Sequence, residues 1–125
     1  MDLIDARKLL LDLQRSREKS REFDFRTARA VGFTRAGSSY STQQGVGKWL
    51  SPDGTELDRV PSFSRSADDC QMLFDIVARG SAVAISWDAD GCIATLEGGI
   101  QIQAHTVPLA LSALAVWIAL EREAT

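Results

Sequence analysis

The chain has 125 residues, of which 45% are apolar and 25% charged, with a net charge of −3. That length suits one domain able to bury roughly two-thirds of its unfolded surface around a single core. The composition excludes disorder over most of the chain. Two cysteines, Cys70 and Cys92, sit inside apolar patterns and read as buried free thiols, not as a disulfide framework. Residues 1–7 carry early acids and no small-residue cleavage site, so no signal peptide is expected. The longest apolar run, residues 107–120, is too short for a membrane span. The expected setting is cytoplasmic, with no membrane contact.

Charge is unevenly placed. Residues 1–36 hold nine Lys/Arg against six Asp/Glu, and residues 37–125 hold five against eleven. A basic half can meet an acidic partner. The plainer expectation is a solvated helix pair, with Asp12–Arg15, Glu18–Arg21 and Glu22–Arg26 at pairing distance along their own helices.

In chain order, residues 2–19 read as a helix with a Leu3, Ala6, Leu10, Leu13 stripe. Ser20 caps a second helix with Phe23, Thr27, Ala30 and Val31 inward, and Gly32 stops it. Residues 34–47, rich in Gly, Ser, Thr and Gln, read as a mobile loop. Trp49 and Leu50 begin a short strand, and Pro52-Asp53-Gly54 is a turn. Ser66 caps a helix, with Asp69 at capping-box spacing and Cys70, Leu73, Phe74 and Val77 as its core face. Residues 82–87 alternate, Val83, Ile85 and Trp87 to one side. With residues 92–96 across Asp90-Gly91 they predict a hairpin. Gly98-Gly99 turns into a third strand ending at Ala104. Thr106 caps a last helix, with Pro108 in its first turn, reaching about Glu123.

This order predicts an α+β domain: a small antiparallel meander over 82–104, with a short strand near 48–50, covered by helices in an α/β/α-sandwich-like arrangement. The last helix is apolar nearly all round, Ser112 being the one polar residue between 107 and 120. It therefore needs a second covering surface. Because the charged N-terminal helices offer narrow stripes, that surface is expected to be a second copy in a homodimer, with Trp117 as interface anchor. Trp49 and Trp87 read as core or interface residues.

The segments Val60-Pro61-Ser62-Phe63-Ser64-Arg65-Ser66 and Thr106-Val107-Pro108-Leu109-Ala110-Leu111, with the tryptophan-bearing hairpin between them and the Arg21-Glu22-Phe23-Asp24 helix before them, resemble the small phage and prophage proteins of the phage ABA sandwich domain family. The resemblance spans about residues 20–123. It implies a helix–sheet–helix sandwich of viral or prophage origin, in the host cytoplasm, and supplies no catalytic residues.

Other signals are weighed against simpler readings. Residues 86–97 place Asp88, Asp90, Gly91 and Glu97 in register with a calcium-binding EF-hand loop. Ser86 stands at its first position, however, and strand patterns flank it, so a hairpin is preferred and no metal is expected. Gly45-Val46-Gly47-Lys48-Trp49 lacks both the first Gly and the final Ser/Thr of a phosphate-binding P-loop. Lys48 with the 38–48 loop, Arg59, Arg65 and an exposed Phe63 can together hold a phosphate and stack a base. The competing reading packs Phe63 inside and leaves both arginines solvated. His105, the lone histidine, precedes the last helix and can reach an anion there, and no cysteine stands at zinc-ligand spacing from it. Pairing Ser64 or Cys92 with His105 as nucleophile and base has nothing in the sequence to motivate it. The functional expectation is a non-enzymatic phage or prophage accessory protein acting by binding, as a host-interaction, defence-countering or assembly module without cofactors. The alternative is a nucleotide-sequestering oligomer. Nucleic acid is not an expected partner.

Overall fold

The computed structural model describes residues 2–35 and 48–124. The first helix, α1 (Leu3–Arg15), is capped by Asp2, whose carboxylate accepts from the Asp5 N–H at 2.8 Å. It stops four residues before the expected end. The Ser16 hydroxyl accepts from the Glu18 N–H and donates to the Glu18 carbonyl, a local turn that competes with helical hydrogen bonding. The second helix, α2 (Arg21–Ala30), starts at Ser20 as expected, and Gly32 follows it at φ +105°. The expected charge pairs along each helix are replaced. Arg26 reaches across to Asp12 of α1 at 3.1 Å, and Arg21 binds Asp24 at 2.8 Å.

Three two-residue strands, β1 (Thr34–Arg35), β2 (Trp49–Leu50) and β3 (Glu56–Leu57), make a first antiparallel sheet. The expected 34–47 loop thus begins with a strand, and its remainder lies outside the described residues. Trp49 and Leu50 join this separate sheet, not the meander. The expected turn between β2 and β3 forms: the Gly54 N–H donates to the Ser51 carbonyl at 2.9 Å, and Gly54 takes φ +89°.

The third helix, α3 (Ala67–Val77), is capped by Ser66, which accepts from the Asp69 N–H. Asp69 does not complete a capping box, because its carboxylate reaches back to the Ser62 N–H at 2.8 Å. The meander follows: β4 (Val83–Asp88), β5 (Gly91–Leu96) and β6 (Gln101–Ala104), in that order. Asp88 pairs with Gly91, so the hairpin closes around Ala89-Asp90, one residue earlier than the sequence suggested. Gly91 (φ +146°) is held there by space as well as by backbone, since a Cβ would stand 2.7 Å from the Ala104 carbonyl oxygen.

The last helix, α4 (Val107–Ala124), is the centre of the molecule. It packs on β5 and β6 on one side and on α1 and α3 on the other, with α2 also against it. Leu109, Ala113, Leu114, Ala115 and Val116 are fully buried within one chain. The apolar circumference that suggested a dimer is therefore covered internally, and the charged N-terminal helices do cover it. Trp117 is half-buried against the same core. The class is α+β, with small antiparallel sheets and four helices among the described residues. Helices cover the meander on one face. Its other face presents Ala84, Ser86, Gln101 and Gln103 to solvent, with no described helix over it.

Candidate functional site

One segment without regular structure, residues 60–66, is fixed by a buried polar network. Asp24 is 1% exposed, and its carboxylate accepts from the Ser64 N–H at 2.7 Å and from Arg21. Arg21 also donates to the Val60 carbonyl at 2.9 Å. The Ser64 hydroxyl bridges the Ser20 backbone, accepting from its N–H and donating to its carbonyl, both at 2.9 Å. Ser112 explains the single polar residue in the apolar run, because its hydroxyl donates to the Phe63 carbonyl at 2.9 Å. The Cys70 thiol shares that carbonyl. Apart from the Asp24–Arg21 pair, each of these bonds satisfies a buried or part-buried backbone group that would otherwise be costly.

The network corrects the expected ligand loop. Phe63 is fully buried, edge-on to Phe33 with ring centroids 5.9 Å apart, and cannot stack a base. Lys48 is bound to Glu56 at 2.6 Å, and that carboxylate raises its pKa. Arg59 is exposed and lines neither of the clefts described next. Lys48, Arg59, Phe63 and Arg65 do not converge.

Two of the predicted residues do lie near one another. At the end of the molecule where α4 begins, a cleft of about 440 Å³ lies between the β4–β5 tip and the start of α4, lined by Trp87, Asp88, Asp90, Cys92, His105 and Arg17 among others. A second, of about 670 Å³, adjoins it through the shared Arg17 and Thr106 and adds Lys19 and Arg65. His105 and Arg65 thus mark neighbouring hollows. Arg17, Lys19 and Arg65 make no ion pair or side-chain hydrogen bond among the described residues. Trp87 is 73% exposed. It stands on the inner face of the meander, across from buried Cys92. The helix layer lies against β5 and β6, so the indole projects beside its edge.

Reading the sequence alone missed Arg17, Lys19 and the exposure of Trp87. Arg17 and Lys19 were placed inside a helix, and the Ser16 turn that throws them onto this end is a local choice of backbone. Trp87 continues the Val83, Ile85 alternation, which predicts its face but not what lies above it.

Cys92 and His105 share the cleft, yet the thiol is a poor nucleophile. Burial pushes its pKa up, and the nearby Asp88 pushes it further; activation needs the opposite. The Cys70 thiol is raised to about 12, chiefly by burial. The Asp88 carboxylate accepts from the Asp90 N–H at 2.7 Å, and residues 86–97 run as strand, turn and strand, not as a helix-flanked calcium loop. Among the described residues no group of three His, Cys, Asp or Glu side chains can hold a metal ion. None of their helices is long and apolar enough to cross a membrane. A scan against protein-family models and searches of curated proteins and of solved structures each give no match.

Proposed function

We propose that the chain is a non-enzymatic binding module whose contact surface is the cleft between the β4–β5 tip and the start of α4. The observation that carries this is Trp87, 73% exposed on a hydrogen-bonded strand at the rim of that cleft. Tryptophan and arginine are the residue types that most often dominate binding energy at interfaces. Here an exposed indole shares a cleft with Arg17, His105, Asp88 and Asp90, and Lys19 and Arg65 line the adjoining hollow. That combination suits a partner segment with an apolar side chain for the indole and a carboxylate or phosphate reaching Arg17, Lys19 and Arg65 on the side away from Asp88 and Asp90. The raised pKa of Cys92 speaks against catalysis at the same place. Nucleotide sequestration loses support, because Phe63 is buried, Lys48 is paired and Arg59 lies outside both clefts. A role as a phage or prophage accessory protein rests on the family resemblance of segments 60–66 and 106–111.

Selection from a displayed peptide library tests the reading. Acidic peptides containing an apolar anchor are expected to bind the native chain, and to bind Trp87→Ala and Arg17→Ala about tenfold or more weakly. Selected peptides that bind both variants as well as the native chain would overturn it.

A further inference from the structure

The pairing geometry of the meander leaves one edge open. The Glu97 N–H donates to the Ala82 carbonyl at 2.8 Å, which makes Ala82 and Glu97 a hydrogen-bonded pair. Such pairs alternate along an antiparallel ladder. Ala84, Ser86 and Asp88, opposite Thr95, Ile93 and Gly91, therefore turn their backbone groups towards β5. Val83, Ile85 and Trp87 turn theirs away from it, and no described residue pairs with them. Soluble proteins usually blunt such an edge with lysine, proline, a bulge or a covering element. Residues 83–88 read Val-Ala-Ile-Ser-Trp-Asp, with no lysine or proline and an unbroken register against β5, and no described helix or strand covers this edge. At the other edge of the sheet, α1 and α4 lie against β6.

We propose that β4 pairs antiparallel with β4 of a second copy, joining two meanders into one continuous sheet. The strand is complementary to itself in one register. Centred on Ile85 opposite Ile85, it sets Val83 opposite Trp87 at both ends, and every outward-pointing residue meets another, giving about six main-chain hydrogen bonds. Trp87 then lies across Val83 of the second copy, an aromatic and β-branched pair of the favourable kind. On the outer face Ala84 meets Ser86, two small side chains. In this register Asp88 comes opposite Ala82, and no like charges stand directly opposite one another across the two strands. This deepens the binding reading and rests on it in one respect. Val83 of the second copy closes the open side of the cleft beside Trp87, so the contact surface is complete only in the dimer. The surface differs from the α4 face that the sequence suggested.

Sedimentation velocity over a wide concentration range tests the pairing with two double variants on the exposed outer face, where the fold is not at stake and circular dichroism checks it. Ala84→Lys with Ser86→Lys sets lysine opposite lysine twice and is expected to weaken the dimer about tenfold. Ala84→Lys with Ser86→Glu sets opposite charges together and is expected to keep it. A native chain that is monomeric at every concentration would overturn the proposal, as would a double-lysine variant that associates like the native chain. Peptides selected on the native chain separate this from the binding reading. Weaker binding by the double-lysine variant, at a concentration where the native chain is dimeric and the variant monomeric, supports a cleft completed by the second copy. Unchanged binding removes the second copy from the cleft and leaves the binding reading standing.

Discussion

The two small sheets treat their tryptophans in opposite ways. In the β1–β3 sheet each strand has two residues, yet Trp49 is 6% exposed, stacked on Phe25 with ring planes 4° apart and with the Arg35 guanidinium 5.5 Å from its centroid. In the β4–β6 sheet the strands run to six residues, and Trp87 is 73% exposed. Strand length and regular pairing therefore do not decide burial. What decides it is the element placed over the face: α2 brings Phe25 onto Trp49, whereas the helix layer lies against β5 and β6 and stops short of Trp87. The poorer sheet is tied into the core and the better one carries the exposed surface.

Substitutions test this contrast, the largest effect first. Trp49→Ala removes a buried aromatic and its stacking partner and is expected to cost about 3–5 kcal/mol in urea unfolding. Trp49→Phe should cost much less, because the Trp49 indole N–H is buried with no hydrogen-bond partner. A small loss for Trp49→Ala would show that the short sheet is not part of the core. Next comes Asp24→Ala, which leaves the Ser64 N–H unpaired and releases Arg21 from its carboxylate. Arg21 is partly exposed and keeps its bond to the Val60 carbonyl, which limits the loss to about 2–3 kcal/mol. Equal stability in the variant would mean that segment 60–66 is held by Phe63 alone.

Much of this architecture was legible in the sequence because it follows from local chemistry. Ser20, Ser66 and Thr106 cap helices where their spacing says they should, and the alternation of 82–87 and 92–96 gives the hairpin. The capping-box residue Asp69 shows the limit of such reasoning. The Ser66 N–H that a capping box would use donates to the Ser62 carbonyl, and the Asp69 carboxylate takes the Ser62 N–H, an arrangement set by the tertiary path of residues 60–66. The dimer argument failed for the same kind of reason. An apolar circumference on α4 demands cover, but whether the cover comes from α1 and α3 or from another chain depends on packing that periodicity does not carry. The candidate site was the least legible part. His105 and Arg65 were legible from their local places, before the last helix and beside Pro61-Phe63, whereas Arg17 and Trp87 enter the proposed site through the Ser16 turn and the edge of the helix layer.

Alkaline stability gives a smaller effect, confined to the core. The Cys70 thiol is raised from an ordinary value of 9.0 to about 12. Above the unfolded value the unfolded chain loses that proton while the folded chain retains it, so stability is full below about pH 9 and falls as pH rises towards 12. Between pH 8 and 10 the loss from this group is on the order of 1 kcal/mol. It is read as the difference between the native chain and Cys70→Ala in parallel denaturant titrations. Identical pH profiles would place the thiol in contact with water.

The smallest expected change in stability belongs to Trp87→Ala, and its smallness is the point. The indole is mostly in water in the single chain, so truncation removes little buried area and leaves no cavity. Surface changes of this kind stay within about 0.5 kcal/mol. Strand pairing is unaffected, because the backbone groups of Trp87 face away from β5. Fluorescence supplies an independent check, since Trp49 is buried and Trp117 half-buried, leaving Trp87 as the main source of water-exposed emission. Removing it should shift the emission maximum to the blue and reduce quenching by acrylamide. Both measurements belong at concentrations low enough to keep the chain monomeric, where a second copy cannot shield the ring. At higher concentration the native chain's quenching should then fall in part, as Val83 of the second copy shields one side of Trp87, while that of Trp87→Ala stays constant. A destabilisation comparable to that of Trp49→Ala, with no spectral shift, would mean that the indole is packed and that the contrast between the two sheets does not exist.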